Sequence, residues 1–375
     1  MRIVIDGRMI LPQMSGIGRY LINLARALIE FDEPINFELL LQDGLSIDHP
    51  ARKLSGSHFH THALPAHHMS LLGQLLIPVE LVRNRPDLLH YPHFDLPLAT
   101  PGRIVATIHD LKYIACPGFF PQLGRTKRWI IRRMMSYTCW RARSVICDSQ
   151  YTANDLHQRL GIPSNKVRVI PLGVEERFFS LLSNQSLQDL RSRLGLERPY
   201  ILFVGERRPH KNLVGLIKAF EKLQKLTART YQLVIAGKPY PGYHEPERAA
   251  QPFGGEIRFI DCVKETDLPG LYQAAEAVAL LSYYEGFGLP ILEAMASGVP
   301  VLAANCTSLP EVVGSAGFLV SPDEPEQAAE ALHQLIRGGK ERDRMIALGK
   351  AHAERFTWGS CAKKTLEIYR QATAS

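Results

Sequence analysis

Two series of short apolar segments, each alternating with helical stretches, constrain this chain more than any other feature. In the first half the segments are Arg2–Asp6, Phe37–Leu41, His58–Ala63, Leu88–Tyr91, Arg103–His109, Ser144–Cys147 and Val167–Ile170. In the second they are Tyr200–Val204, Gln232–Ala236, Ile257–Ile260, Ala277–Leu281, Val299–Ala303 and Phe318–Val320. Apolar runs of this length bounded by turn residues read as buried strands, and strands alternating with helices predict a parallel sheet wrapped by helices. Residues 175–198 are polar and helical with no strand pattern, which reads as an interdomain connection. A chain of 375 residues suits two domains of about 150 to 200 residues each. The expected fold class is therefore α/β, with two doubly wound domains.

Within the second series, Ser282 to Val301 carries the densest chemistry. The strand ending at Leu281 is broken by Gly286 and Gly288, Pro290 suits a first helical turn, and Gly298 stops the helix before the next apolar run. Glycines let the backbone approach a ligand closely, and the N–H groups around Phe287, Gly288 and Leu289 lie at the positive end of a helix, an anion site. Glu285 precedes that site and Glu293 follows it. Two carboxylates beside an anion pocket suggest partners with hydroxyl groups, as sugars and ribose have. Taken singly, Glu285 also reads as a solvated turn residue and Glu293 as a carboxylate favoured by the helix dipole.

Other strand ends add candidates. Gly16 and Gly18 before the first helix offer a second backbone anion site, bordered by Arg19 and Tyr20. His109 and Asp110 close an apolar run, where open α/β sheets bind ligands; Asp110 is a candidate to hold the loop or the histidine. Lys211 opens a helix after a strand and is placed to meet a diphosphate, with Arg207 or Arg208 adding charge. His58, His60 and His62 share one strand face, but no carboxylate or cysteine accompanies them, so an edge strand explains them and no metal site is expected.

Composition narrows the class. Apolar content of 46% and charged content of 22% fit a globular enzyme. No window approaches the roughly 18 apolar residues of a membrane span. The start, Met1 to Gly7, reads as a strand and not a secretory signal, so a cytoplasmic protein is expected. Six cysteines without a CxxC pair read as reduced. The net charge of +7 is uneven: Leu111 to Cys147 has no acidic residue. That segment carries Arg125, Lys127, Arg128, Arg132 and Arg133, with Trp129 and Trp140 among its basic residues. It reads either as a solvated basic helix face or as a peripheral contact with the inner face of the plasma membrane. No nucleic-acid motif is present, and no nucleic-acid partner is expected.

Several motifs together resemble the retaining glycosyltransferases of family 4. They are Glu285-Gly-Phe-Gly-Leu-Pro290, Glu293-Ala-Met-Ala-Ser-Gly298, Pro300-Val301, Ser308-Leu-Pro-Glu-Val312 and the turn Gly205 to Asn212. In that turn His210 stands where arginine is usual, which leaves Arg207 to supply a second cation. The resemblance covers nearly the whole chain. It implies a GT-B fold: two Rossmann-like domains facing across a cleft, residues 1–173 on the acceptor side and 199–357 binding the nucleotide sugar. Residues 174–198 would link them, and residues 358–375 would form a helix returning to the first domain. It implies transfer from a nucleotide-diphosphate donor with retention, and roles for His109, Glu285 and Lys211 in the transfer. Gly16, Gly18, Arg207, Lys211, Glu285, Gly286, Phe287, Gly288, Leu289 and Glu293 would bind the donor, and Arg19, Tyr20 and Asp110 would lie on the acceptor side.

No Asp-x-Asp occurs in the chain, so cations and helix dipoles are expected in place of a metal, and no cofactor is expected. Asp6-Gly-Arg8, Ser15 to Tyr20, Tyr151-Thr152 and Leu309-Pro-Glu311 look most like bacterial mannosyl- and rhamnosyltransferases of surface polysaccharides. That likeness implies a GDP-sugar donor and a glycan or polyprenyl-linked acceptor. The alternatives are a transferase or epimerase using a UDP-sugar, and a non-catalytic scaffold that binds nucleotide sugars.

Overall fold

The computed structural model describes residues 1–227 and 231–374. They divide into two compact units, Met1–Gly173 with residues from Thr357 onward, and Val174–Phe356.

The first unit holds seven parallel strands: β1 (Arg2–Asp6), β2 (Asn36–Gln42), β3 (Phe59–Leu64), β4 (Leu88–Tyr91), β5 (Ile104–Ile108), β6 (Ser144–Cys147) and β7 (Val167–Val169). Their order is β3-β2-β1-β4-β5-β6-β7. The strand order reverses between β1 and β4, the switch point at which such sheets bind ligands beyond their carboxyl ends. β4, β5 and β6 are almost wholly buried, as expected of strands covered on both faces. The helix Trp358–Ala374 packs on this unit with Leu366 and Tyr369 buried. Tyr369 anchors it: its hydroxyl lies 2.6 Å from His90 Nδ1, and His90 Nε2 lies 2.7 Å from Thr107 Oγ1.

The second unit holds β8 (Tyr200–Val204), β9 (Gln232–Ala236), β10 (Ile257–Ile260), β11 (Ala277–Leu280), β12 (Val301–Ala304) and β13 (Phe318–Val320), in the order β10-β9-β8-β11-β12-β13, all parallel. Its switch point lies between β8 and β11. The sheet also depends on one close backbone approach: a Cβ on Gly237 would meet Gly205 O at 1.9 Å.

Each strand expected from the sequence is present, with ends shifted by up to two residues. β12 starts at Val301 because the N–H of Val299 still donates to Ala294 O at the end of the preceding helix. Residues 174–198 differ from expectation. They form part of the second unit rather than a free connection. Their helix Asn184–Leu194 packs on Leu268–Gln273 so tightly that a Cβ on Gly270 would lie 2.7 Å from Leu190 Cδ2. Arg193 adds a bidentate pair to Asp267 at 2.8 and 2.9 Å, and Arg177 donates to the Glu265 carboxylate at 2.8 Å. The polar look of the segment belongs to its outer face. All six cysteines are free thiols.

Candidate active site

In the second unit, Asn212 takes a left-handed conformation (φ 53°) and its side chain accepts from Gly215 N, which starts the helix Leu213–Leu226 and fixes Lys211 just ahead of it. Lys211 Nζ lies 2.6 and 2.7 Å from the two oxygens of Glu285. Ser282 Oγ donates to Glu285 Oε1 at 2.6 Å, so a hydroxyl and an ammonium together orient this carboxylate. The turn behind it is clamped from the segment after β12. Glu285 N donates to Thr307 Oγ1 at 3.2 Å, and Ser308 Oγ is 3.0 Å from Glu285 O and 2.7 Å from Phe287 O. The spacing of Ser308 and Glu311 suggests a helix cap; instead the Ser308 hydroxyl is directed to the glycine turn and makes no cap bond.

Gly288 (φ 125°) ends the turn, and the helix Leu289–Ala296 starts with no side-chain cap. A Cβ at Gly288 would be both in an unfavourable conformation and 2.9 Å from Leu309 Cδ2. Glu293 in this helix is 3% exposed and accepts from Tyr272 OH at 2.7 Å. Arg207 is placed differently from the sequence expectation. It is 3% exposed, its guanidinium is paired with Glu247 (3.1 Å) and Asp261, and it lies over the Phe259 ring. Lys211 is therefore the cation that meets Glu285, while Arg207 ties three neighbouring segments together.

In the first unit, His109 Nδ1 lies 2.7 Å from Asp148 Oδ2. Ile108 pairs with Cys147 in the β5–β6 register, so the next residue of each strand falls side by side. Asp148, and not the adjacent Asp110, is thus the carboxylate that holds His109. Asp110 instead bonds Lys112 through both its oxygens, at 3.1 Å to the backbone N and 2.5 Å to Nζ. Burial raises the Asp148 carboxyl above its ordinary range, against the opposing pull of His109. His109 Nε2 is buried and has no hydrogen-bond partner among the described residues.

Tyr20 does not border an open site as expected. It is 1% exposed, bonds Thr107 Oγ1 at 3.2 Å and packs edge-on against His109 with ring centroids 4.7 Å apart. The glycine loop differs too. The helix begins at Gly16, so Gly18 is inside its first turn and its N–H already donates to Ser15 Oγ at 3.1 Å, while Gly16 is exposed and Arg19 half-buried. Below these residues, burial pushes His90 down to about 3, which keeps its imidazole neutral. At the β1 end, Asp6 and Arg8 form a buried pair at 2.7 Å.

The sequence set aside a metal at His58, His60 and His62 for want of carboxylates, but the fold supplies two. His62 Nδ1 is 3.3 Å from Glu38 Oε1 and 3.8 Å from Glu80 Oε1.

The arrangement in the second unit can hold a phosphorylated ligand: a glycine turn, an uncapped helix N-terminus, one ammonium and a carboxylate oriented for hydroxyls. Comparison with known proteins gives the family. Residues 14–178 match the family profile "Glycosyltransferase Family 4" and residues 187–352 match "Glycosyl transferases group 1". The chain is 31% identical over 287 residues to O-antigen chain mannosyltransferase B of Escherichia coli, covering 75% of this chain and 73% of that protein. It is 32% identical over 238 residues to D-inositol 3-phosphate glycosyltransferase of Corynebacterium glutamicum, covering 61% and 57%. Among solved structures, Anabaena HepE in complex with UDP and glucose superposes with a TM-score of 0.77 at 21% identity, over 99% of this chain and 100% of that one. The fold is that of the GT-B glycosyltransferases, two Rossmann-like α/β domains. The chain belongs to glycosyltransferase family 4.

Proposed function

We propose that this glycosyltransferase moves a hexose, mannose or D-rhamnose, from a GDP-sugar to a glycan or polyprenyl-linked acceptor, with retention of configuration, in the synthesis of a bacterial surface polysaccharide such as O-antigen. The observation that carries the reading is the Lys211–Glu285 pair beside the uncapped helix at Leu289. Lys211 and the N–H groups of the turn supply the positive field that a leaving diphosphate needs as its charge grows, with no metal at that position. Glu285, held by Lys211 and Ser282, accepts hydroxyls of the donor sugar, and Glu293, oriented by Tyr272, accepts from the ribose. In the first unit, Asp148 accepts the Nδ1–H of His109, which presents Nε2 as an acceptor for a sugar hydroxyl. The acceptor oxygen attacks the anomeric carbon on the face from which the diphosphate leaves. The C–O bond to phosphate breaks as the new glycosidic bond forms, and the acceptor proton passes to the leaving diphosphate.

Similarity to an O-antigen mannosyltransferase supports the choice of donor and acceptor class. A second reading, a UDP-sugar transferase or epimerase, is favoured by the match to a fold solved with UDP and glucose. The test is calorimetric titration of the purified chain with GDP, UDP and ADP in EDTA, then product analysis with the matching sugar donors and NMR of the anomeric configuration. Selective GDP binding followed by a retained glycosidic product is expected. Preference for UDP selects the second reading, binding without turnover selects a nucleotide-sugar scaffold, and no nucleotide binding overturns all three.

No described helix is long and apolar enough to cross a membrane. The proposal includes a cytoplasmic protein touching the inner membrane face through the helix Arg125–Arg141, where Arg125, Lys127, Arg132 and Arg133 are exposed, Arg128 is half-buried and Trp129 is 62% exposed. Leu71, Leu75, Val79 and Val82 leave an apolar stripe on the helix Leu71–Asn84, surface of the kind a polyprenyl carrier would contact.

A further inference from the structure

At the carboxyl end of β4, His93 and Asp95 meet His68, which lies between β3 and the helix Leu71–Asn84. The side chains are deeply placed: Asp95 is 1% exposed, His68 8% and His93 14%. His93 Nδ1 lies 2.5 Å from Asp95 Oδ1, and His68 Nε2 lies 3.1 Å from the same oxygen. The second contact is short enough for a hydrogen bond but is not aligned as one. His68 Nε2 and Asp95 Oδ2 are buried with no hydrogen-bond partner among the described residues.

One ligand atom from each of the three residues lies within 4.8 Å of the others. Two imidazole nitrogens and a carboxylate this close, with His68 Nε2 and Asp95 Oδ2 still unpartnered, suit a common ion between them. Their supports are also in place. Tyr91 OH donates to Asp95 Oδ1 at 3.2 Å, and Ser70 caps the helix two residues after His68, accepting from Gly73 N at 3.0 Å. Such outer bonds orient metal ligands. The other mixed cluster, Glu38, His62 and Glu80, differs on each count. Arg2 holds Glu38 at 2.6 Å, Asn84 holds Glu80 at 2.5 Å, and His62 is 44% exposed.

We propose that His68, His93 and Asp95 form a binding site for a zinc-class divalent cation in the first unit. Two imidazoles and one carboxylate favour zinc over magnesium or calcium, which prefer all-oxygen sets. Three protein ligands leave a coordination position for water or a ligand hydroxyl. The ion would satisfy both orphaned atoms and fasten the segment after β3 to the end of β4. The inference does not depend on the transfer reading, because Lys211, in the other unit, is the group assigned to the diphosphate.

The test uses the full chain, free of any histidine tag and stripped with EDTA. Calorimetric titration with zinc chloride should show one site, with magnesium unable to compete. Cobalt in place of zinc should give a visible d–d band. His68→Gln, His93→Gln and Asp95→Asn should each weaken zinc binding by at least ~100-fold, while His62→Ala leaves it unchanged. GDP titration of the same variants checks that the second unit is intact, and circular dichroism checks the fold; should one variant fail to fold, the other two read the same site. No zinc binding at 100-fold excess over protein, or binding lost with His62→Ala and kept in the three ligand variants, overturns the proposal.

Discussion

The two units place their chemistry at equivalent strand ends in different ways. In the first unit the groups at or near the strand ends are side chains locked together below the surface: Asp6 with Arg8, His109 with Asp148, and His90 with both Thr107 and Tyr369. In the second unit the backbone carries more of the site, as a glycine turn held by Thr307 and Ser308 beside the partly buried pair of Lys211 with Glu285. A buried pair fixes one geometry and responds to pH. A backbone turn keeps its dipoles at any pH and fails only when its conformation is disturbed. Under the proposed transfer, the first unit orients hydroxyl-rich ligands and the second holds the anion.

Four measurements sharpen or break that contrast. The largest effect belongs to Glu285→Ala and Lys211→Ala, which should lower transfer by ~10³-fold with the fold intact by circular dichroism. Unchanged turnover in either would move the site away from this turn.

Next comes acid sensitivity. His90 titrates near 3 in the fold against about 6.5 in an unfolded chain. Between those values the unfolded chain binds the extra proton, so this contribution is complete above about pH 6.5 and is lost as pH falls toward 3, at about 1.4 kcal/mol per pH unit. The three tryptophans, Trp129, Trp140 and Trp358, all lie in the first unit, so their fluorescence follows it selectively. Its melting temperature should drop on acidification from pH 6.5 to 4, and a flat profile would remove His90 as a pH-sensitive element.

Asp148→Asn ranks third. It frees the His109 ring to adopt the other tautomer and should cut kcat by ~10- to 100-fold while nucleotide affinity stays as in the parent. A matching loss of GDP binding would show that the two units do not divide the work in this way. The smallest effect is expected of Ser308→Ala, which removes the clamp on two carbonyls and should cost about 1 kcal/mol, read as a several-fold weaker GDP titration.

Much of this was legible in the sequence, and the rest was hidden for identifiable reasons. The strands announced themselves because apolar runs flanked by turn residues have few other uses, and Glu285, Lys211 and His109 stand at strand ends, where side chains reach ligands. The partner of His109 was hidden because it depends on the register of β5 against β6: Asp148 is 39 residues away in sequence. Adjacent Asp110 was the obvious choice, yet Lys112 occupies it. Only the fact that Asp148 also directly follows an apolar strand could have pointed to it. The spacing of Ser308 and Glu311 looks like a capping box because a hydroxyl serves a cap and a clamp equally well. Tyr20 and Arg207 carry polar groups that read as site residues, and only packing revealed one as core and the other as a buried tie. His93 and Asp95 drew no notice because a histidine two residues from an aspartate is common, and His68 joins them only through the fold.

The membership of the Trp358–Ala374 helix in the first unit has a consequence for how the chain is made. Synthesis proceeds from the amino end, and all of Val174–Phe356 must emerge before that helix exists. At about 5 to 20 residues per second the nascent first sheet waits on the order of ten seconds with His90 and the apolar face of Gly16–Ile29 uncovered. The second unit, continuous in sequence, has no such wait. The early half of the polypeptide is therefore the later one to mature, and the exposed interval is when a ribosome-associated chaperone would be most useful.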